Sequence, residues 1–494
     1  MTNVAKIGKA AAAGVALLGA VMLVNTLRLP ALPDSSAPAL PPPPDLGAAA
    51  QRLAAAIRIP TVSHGPDVAA AIDNFAAFHQ LLTDSFPLTH AHLKREVVSG
   101  ASLLYTWQGS DASLPPLLLT AHMDTVPVEP GTEGKWTHAP FAGDIAEGFI
   151  WGRGAMDMKH GVMATLEGVE HLLAQGYQPR RTVLLAFGHD EEIGGQKGAA
   201  QITALLEQRH IKAWFSLDEG LAILNGFIPG AQRPIAQIGL AEKGMMSLAL
   251  TAKAEGGHSS MPPPFTAVGR VSRAVARLEE QPMPATLEGP GGVGIRAMAP
   301  ALPFASRLAI ANGWLLQPLL VRQLSASPAT NALIRTSTAP TIISGGVKEN
   351  VLPSEARAIV NFRLAPGDTP DSVTAHVRSA INDPLVEISA WDGPGVPASA
   401  VADQASPGFQ LIGNAARKVA PDALVTPGLV VGATDSRHYG RISGAAFRFL
   451  PVPYTPQDVP RVHGTDERIR ITDYGNLITF YEELIRSSTA APPR

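Results

Sequence analysis

The chain has 494 residues, which exceeds the usual domain size of about 100 to 200 residues and indicates two domains. Its 39 basic and 42 acidic side chains nearly balance, and no basic cluster is interleaved with aromatic residues, so a nucleic-acid partner is not expected. The chain has no cysteine, so any metal must be held by imidazole and carboxylate groups, and the fold tolerates an oxidising compartment.

Residues 1–29 contain an uncharged apolar run, 10–27, that is about long enough to cross a bilayer as a helix. The flanking charges are basic: Lys6, Lys9 and Arg28. Because no convincing small-x-small cleavage site lies behind the run, the pattern predicts an uncleaved N-terminal membrane anchor. A cleaved signal segment and a buried core helix are the alternatives. The protein is therefore expected in the cell envelope with its globular part outside the cytoplasm, or secreted or periplasmic if the segment is cleaved.

Residues 30–45 form a proline-rich linker that includes Pro41, Pro42, Pro43 and Pro44. Consecutive prolines lack backbone donors, so this linker should be an extended spacer. The globular part then begins near residue 46.

From residue 46 onward, apolar strand-like runs alternate with amphipathic helical stretches, which predicts an α/β domain with a mostly parallel central sheet. Three of these runs lead directly into polar residues that can carry chemistry. Runs 117–121, 182–187 and 213–217 are followed by His122 and Asp124, by Glu191 and Glu192, and by Asp218. Ligands bind at the carboxyl ends of strands in such sheets, so these side chains should share one site.

A helix is expected between Asp157 and Gly176, because apolar residues recur along one stripe of this segment. Gly176 should end the helix, since glycine readily adopts the left-handed conformation that follows a helix.

The pattern changes near residue 239 and predicts a smaller α+β domain, 239–392, inserted between catalytic segments 46–238 and 393–494. Its predicted elements are strands at 245–254 and 356–364, a loop at 256–260 and a helix at 369–381. Residues 265–340 are apolar and contain prolines, and no elements are assigned to them.

Each site signal has an ordinary structural alternative. His122 and Asp124 lie two apart in an extended segment, so Asp124 can accept the second imidazole N–H, although a lone histidine is more often structural. Glu191 and Glu192 could be a solvated pair, but at a strand end one carboxylate can bind metal while its neighbour faces the attacking water. Asp157 could be a helix N-cap or a carboxylate that bridges two metals.

Taken together in this order, the motifs resemble the co-catalytic zinc metallopeptidase family of aminoacylase and carboxypeptidases. The matching stretches are 121–127, 152–159, 190–195 and 257–260. Further motifs resemble the branch of carboxypeptidase S and the N-fatty-acyl amino acid hydrolases: 331–336, 350–353, 360–363, 434–439 and 463–467. The resemblance covers about residues 46–484, and it implies a zinc-peptidase-like catalytic domain with an inserted lid or dimerisation domain.

The resemblance implies two Zn²⁺ ions per subunit, for which Co²⁺ or Mn²⁺ could substitute. It places His122 and Asp218 on one ion, Glu192 and His463 on the other, and Asp157 between them. It makes Glu191 the general base and Asp124 the carboxylate that orients His122.

Four further residues take roles from the same resemblance. His258 would stabilise the oxyanion in a partner subunit's active site, which implies a homodimer. Arg437, Arg363 and Asn331 would bind the substrate, the arginines through its carboxylate and the asparagine through a carbonyl. A loop histidine and ordinary salt-bridge arginines are the alternatives.

The resulting hypothesis is a hydrolase that cleaves the amide bond of N-acyl amino acids with metal-activated water. One alternative is a metallo-carboxypeptidase that acts on dipeptides or short peptides. Another is a catalytically silent envelope protein with a binding or scaffold role, which the complete set of site residues disfavours.

Overall fold

The computed structural model describes residues 2–32, 38–43, 45–65 and 72–490. Elements are numbered in chain order. The helices are α1 Thr2–Leu27, α2 Leu46–Ile57, α3 Ile72–Ser85, α4 Pro87–His92, α5 Lys159–Ala174, α6 Ala199–Gln208, α7 Ala267–Glu280, α8 Pro290–Ala297, α9 Phe304–Ala311, α10 Gly313–Ser325, α11 Pro328–Ile334, α12 Pro370–Ile381, α13 Pro407–Val419, α14 Ser436–Tyr439 and α15 Ile471–Thr489.

The strands are β1 Lys94–Val98, β2 Ser102–Trp107, β3 Leu117–His122, β4 Ile145–Ala146, β5 Phe149–Trp151, β6 Val183–Gly188, β7 Phe215–Asp218, β8 Ile223–Leu224, β9 Ile235–Glu242, β10 Gly244–Lys253, β11 Gly257–His258, β12 Ser337–Gly345, β13 Val351–Leu352, β14 Glu355–Leu364, β15 Val386–Val396, β16 Leu424–Val430, β17 Ala446–Arg448, β18 Pro453–Tyr454 and β19 Arg468–Arg470.

The chain divides into two compact units. The larger comprises residues 31–240, 402–428 and 433–494, and the smaller comprises 1–30, 241–401 and 429–432. Strand β15 lies in the smaller unit and runs through Val396, past the boundary expected at residue 392.

The main sheet of the larger unit has the order β1-β2-β6-β3-β7-β17-β9-β8-β18, with β16 paired to β9. Its centre, β6-β3-β7-β17, is parallel, and antiparallel strands lie on either side. The expected α/β fold with a mostly parallel centre is therefore confirmed.

Strands β3 and β6 are buried along their whole length, as their uninterrupted apolar runs predict for strands covered on both faces. Helix α5 packs on β3 and on α15, and α6 lies against β2 and β6. Helix α5 ends as expected: Gly176 has a φ of 69°, and its N–H donates to the Leu173 carbonyl.

The linker call falls partly outside the described residues, which omit 33–37 and 44. Residues 38–43 have no regular secondary structure, but they are not a free spacer. The Leu40 N–H donates to the Lys418 carbonyl at 2.7 Å, and the Thr479 hydroxyl donates to the Pro41 carbonyl at 3.3 Å. This end of the linker is therefore attached to the larger unit.

In the smaller unit, an antiparallel sheet of order β12-β14-β10-β15 packs against helices α7 and α12. Thr369 caps α12 through a capping box. The loop expected at 256–260 contains the short strand β11, which pairs with β13. The unassigned stretch 265–340 is largely helical, from α7 to α11.

Candidate metal centre

The candidate centre lies in the larger unit, at the carboxyl ends of its central parallel strands. Strand β3 ends at His122, β7 ends at Asp218, and β6 leads into a short 3-10 turn that contains Glu191 and Glu192. Asp157 precedes α5, and its neighbour Met158 occupies the N-cap position, so Asp157 is not the N-cap of this helix.

Two groups of donor atoms meet at Asp157. In the first, His122 Nε2 lies 3.0 Å from Asp157 Oδ1 and 3.1 Å from Glu219 Oε1. In the second, His463 Nε2 lies 3.0 Å from Asp157 Oδ2 and 3.3 Å from Glu192 Oε2. Each oxygen of the Asp157 carboxylate therefore faces a different group, which is the arrangement expected of a bridging carboxylate.

The carboxylate that completes the first group is that of Glu219, not that of Asp218 as the sequence analysis expected. Consecutive side chains at the end of a strand point to opposite sides, so only one of the two can face His122. Asp218 is buried elsewhere: burial raises its pKa, and a hydrogen bond with Thr120 opposes that shift. The adjacent carboxylates were visible in the sequence, but the choice between them was not.

Asp124 is fully buried and contacts several residues of the centre. One of its oxygens lies 3.3 Å from His122 Nδ1, and the other accepts a hydrogen bond from the Ser63 hydroxyl at 2.7 Å. The backbone N–H groups of Glu191 and Glu192 also donate to this carboxylate, both at 3.2 Å. Asp124 therefore fixes both the imidazole and the turn that carries the two glutamates.

The centre concentrates negative charge. Burial raises the pKa of Glu191 well above its usual value, and the nearby carboxylates of Glu219 and Asp157 act in the same direction. Burial, reinforced by the Asp157 charge, raises the pKa of Glu219 to about 8. Among the described residues, Glu192 Oε1 is buried without a hydrogen-bond partner. Buried acids of this kind are stabilised by cations.

The donor atoms are of the kind that binds divalent metal ions such as zinc. Tetrahedral zinc with donors at about 2.0 to 2.2 Å requires donor atoms about 3.3 to 3.6 Å apart. The four pairs of donor atoms, two of which include Asp157, lie 3.0 to 3.3 Å apart, which is at or slightly below this spacing, and all are imidazole nitrogens or carboxylate oxygens. Cobalt and manganese accept the same donors.

A buried ion pair that the sequence analysis missed supports Asp157. Arg153 Nη1 donates to Glu467 Oε2 at 2.6 Å, and both side chains are almost fully buried. Glu467 Oε1 accepts the backbone N–H of Asp157, and Arg153 Nη2 donates to the carbonyl of His463. The pair therefore holds residues of both donor groups. Both residues lie in motifs of the family resemblance, but their pairing is visible only in the fold.

Arg437, proposed to bind substrate, has a structural contact in the larger unit. Its Nη2 donates to the Gly194 carbonyl at 3.0 Å, and His438 Nε2 lies 3.1 Å from the same oxygen. The Arg437 guanidinium thus stabilises the turn that follows Glu191 and Glu192.

The other three candidate residues lie in the smaller unit. Arg363 is half-buried on β14, and Asn331 lies on α11 with its Oδ1 buried and without a hydrogen-bond partner among the described residues. His258 is exposed on β11, and its Nδ1 accepts the Ser260 N–H at 3.1 Å. That hydrogen bond leaves the proton of a neutral His258 on Nε2.

A family profile and several known proteins are similar to this chain. A profile described as Peptidase family M20/M25/M40 matches residues 118–487. The chain is 41% identical over 444 residues to "Probable carboxypeptidase S-like 2" of Dictyostelium discoideum, which covers 89% of this chain and 85% of that protein. It is 40% identical over 445 residues to "N-fatty-acyl-amino acid synthase/hydrolase PM20D1" of Mus musculus, with coverage of 89% and 87%.

Among solved structures, the fold is similar to that of "M20 family metallo-carboxypeptidase Sso-CP2" from Sulfolobus solfataricus. The TM-score is 0.62 at 20% identity, and the match covers 89% of this chain and 98% of that one. At this identity the likeness concerns the fold alone.

Proposed function

The chain belongs to the M20/M25/M40 peptidase family of metal-dependent hydrolases that act on amide bonds, and from that premise we propose that it hydrolyses N-acyl amino acids with two zinc ions. The observation that carries the proposal is the Asp157 carboxylate, which faces one donor group with each oxygen. The named relatives, an N-fatty-acyl-amino acid synthase/hydrolase among them, support the choice of substrate.

In the proposed reaction, Glu191 accepts a proton from the attacking water and returns it to the leaving amine. Burial raises the pKa of Glu191, which makes its carboxylate a stronger base than that of a solvated glutamate. The bound cations would polarise the scissile carbonyl and lower the pKa of the attacking water. Asp124 holds the backbone of Glu191 in place throughout.

The leaving amino acid carries a free carboxylate, which a guanidinium can bind through two hydrogen bonds. We favour Arg437 over Arg363 as the residue that binds the substrate carboxylate. The Arg437 Nε is buried without a hydrogen-bond partner among the described residues, although its Nη2 already holds the Gly194 carbonyl. We assign Asn331 a contact with a substrate carbonyl, to which its side-chain Nδ2–H would donate.

The first test of the proposal is a Glu191→Gln substitution in the full chain loaded with zinc. Loss of the general base should lower kcat by at least about 100-fold, while the metal content per subunit stays at the wild-type value. Hydrolysis would be followed by mass-spectrometric release of free amino acid. A variant that keeps most of its activity would overturn the assignment of Glu191.

The second candidate function is a carboxypeptidase on dipeptides or short peptides, which the relatives named carboxypeptidase S-like favour. A mixed panel of long-chain N-acyl amino acids and dipeptides separates the two. Preferential release from N-acyl amino acids supports the first proposal, and preferential dipeptide cleavage supports the second.

The proposed role of His258 requires a homodimer, because that side chain would act in the partner's site. The proton on its Nε2 could then stabilise the oxyanion. His258→Ala and Glu191→Gln should each be inactive alone. Refolded together as mixed dimers, they should recover roughly a quarter of the wild-type sites, since one site in each mixed dimer is complete. No recovery would show that His258 does not act across subunits.

The apolar helix α1 could be a signal or an anchor, and we favour an anchor in the cell envelope. Immunoblotting of membrane and soluble fractions after alkaline washing tests this placement. Release of the protein into the soluble fraction would favour the cleaved alternative.

A further inference from the structure

Helices α9 and α10 of the smaller unit are apolar, yet neither buries a single side chain. Large hydrophobic residues face solvent on both: the side chains of Phe304, Trp314 and Leu319 are 54%, 62% and 56% exposed. The helices also border a cavity of about 480 Å³ shared with α8, and Trp314 itself lines that cavity. An exposed apolar surface of this kind marks an interaction site.

The N-terminal helix α1 packs directly against this helix pair. Asn312, between α9 and α10, is fully buried, and its Nδ2 donates to the Met22 carbonyl at 3.0 Å. Its Oδ1 accepts a hydrogen bond from Asn25 Nδ2, also at 3.0 Å. A buried amide is stable only when it is hydrogen-bonded, so Asn312 attaches the pair to α1.

The position of this contact along α1 determines the depth at which helices α9 and α10 would lie relative to a bilayer. Residues Lys9–Leu27 are long and apolar enough to cross a membrane, with a mean hydropathy of 2.0, and only 6% of that stretch is buried. The residues that contact Asn312 lie in the last turns of this stretch, where a spanning helix leaves the hydrocarbon. Helices α9 and α10 would therefore lie at the membrane surface.

Charge in this region favours the same surface. No aspartate or glutamate occurs between Glu288 and Glu349, whereas five basic residues do. They are Arg296, Arg307, Arg322, Arg335 and Lys348. Arg307 lies on α9 and Arg322 is exposed on α10, whereas Arg335 is buried and does not contribute to this surface. Basic residues beside an apolar helical face are attracted to anionic lipid headgroups.

We propose that α9 and α10 form a membrane-docking face whose exposed apolar side chains enter the headgroup–acyl boundary of an anionic bilayer beside α1. Trp314 suits this boundary, because an indole has an apolar ring and one polar N–H. The proposal concerns where the protein sits and does not rest on the substrate proposed above.

The chain has no cysteine, so a single introduced cysteine places one fluorescent reporter on the full chain. Leu315→Cys and Leu319→Cys would carry an environment-sensitive dye on the docking face. Leu385→Cys is the matched control, because Leu385 is 60% exposed in the same unit but lies far along the chain from these helices. A dye at Leu17→Cys reports insertion of α1.

The labelled protein would be reconstituted in vesicles of phosphatidylcholine and phosphatidylglycerol that contain acyl-brominated lipids. We expect blue-shifted emission and several-fold stronger bromine quenching at positions 315 and 319 than at 385, with less quenching in purely zwitterionic vesicles. Quenching at 17 but not at 315 and 319 would show that α1 inserts without the pair and would overturn the proposal. Dyes at 315 and 319 that are shielded from iodide yet unquenched by bromine would show that protein covers this face, which also overturns it.

Discussion

Two adjacent substitutions, Glu219→Gln and Asp218→Asn, test which carboxylate belongs to the metal centre. Each removes one negative charge and keeps the side-chain shape. Glu219 Oε1 lies 3.1 Å from His122 Nε2, whereas Asp218 is absent from both donor groups. We therefore expect Glu219→Gln to weaken binding of one cation and Asp218→Asn to leave both cations bound.

The size of the effect follows from the position of Glu219. Replacing a residue that only supports a metal ligand lowers affinity about 10- to 100-fold. Loss of a direct donor should therefore exceed about 100-fold, which is about 2.7 kcal/mol at 1.36 kcal/mol per tenfold change.

In the metal-free protein, Glu219→Gln should be stabilising at high pH, because it removes a buried carboxylate that no cation balances. Burial raises the pKa of Glu219 from 4.5 to about 8, so the folded protein binds more protons than the unfolded chain between these pH values. Stability of the metal-free protein should therefore fall as pH rises through this window. The change is at most about 5 kcal/mol, from about 3.5 pH units at 1.36 kcal/mol each. Glu219→Gln should remove much of this loss.

The assay is metal content per subunit after chelator treatment and dialysis against limiting zinc, together with urea unfolding of the metal-free proteins at pH 5 and pH 8. Glu219→Gln should lose one cation and show the smaller stability difference between the two pH values. Retention of both cations by Glu219→Gln, with loss of one by Asp218→Asn, would refute the assignment.

Three further predictions concern the scaffold. Arg153→Met leaves the buried Glu467 carboxylate unpaired and should lower the free energy of unfolding in urea by about 3 to 5 kcal/mol; a loss below about 1 kcal/mol would contradict this. Hydrogen bonding to Glu482 raises the pKa of His171, so the stabilisation that protonated His171 gives the wild type is present below pH 6.5 and is lost as pH rises through the folded-state pKa. His171→Gln should therefore reduce the pH dependence of the free energy of unfolding by about 1 kcal/mol, measured in unfolding curves from pH 5 to 9. Gly195→Ala would place a Cβ 2.1 Å from a buried carboxylate oxygen at a φ of 67° and should lower Tm and hydrolysis, whereas Gly134→Ala, with no atom within 4 Å, should change neither.

The fold class and much of the catalytic chemistry could be predicted from local patterns. Strands β3 and β6 are uninterrupted apolar runs, and a parallel buried strand needs such a run because helices cover both of its faces. Gly176 marked the end of α5 because few other residues adopt its left-handed conformation readily. His122 and Glu192 could be named because they follow these strands at the sheet edge where ligands bind.

Residues 265–340 could not be assigned from periodicity, and the structure shows why. Helices α9 and α10 have no buried face, so they lack the single apolar stripe by which an amphipathic helix is identified. Their contact with α1 joins segments almost 290 residues apart, through side chains that carry no local signal.

By itself, the sequence determined which residue types are available for chemistry and which strands deliver them to one edge of the sheet, because those features depend on periodicity along the chain. Only the tertiary structure decided that Glu219 rather than Asp218 faces His122, and that Arg153 pairs with Glu467 beneath Asp157. The reason is physical. The side to which a residue at the end of a strand points, and the partner that a buried charge meets, depend on packing between segments that lie far apart in the chain.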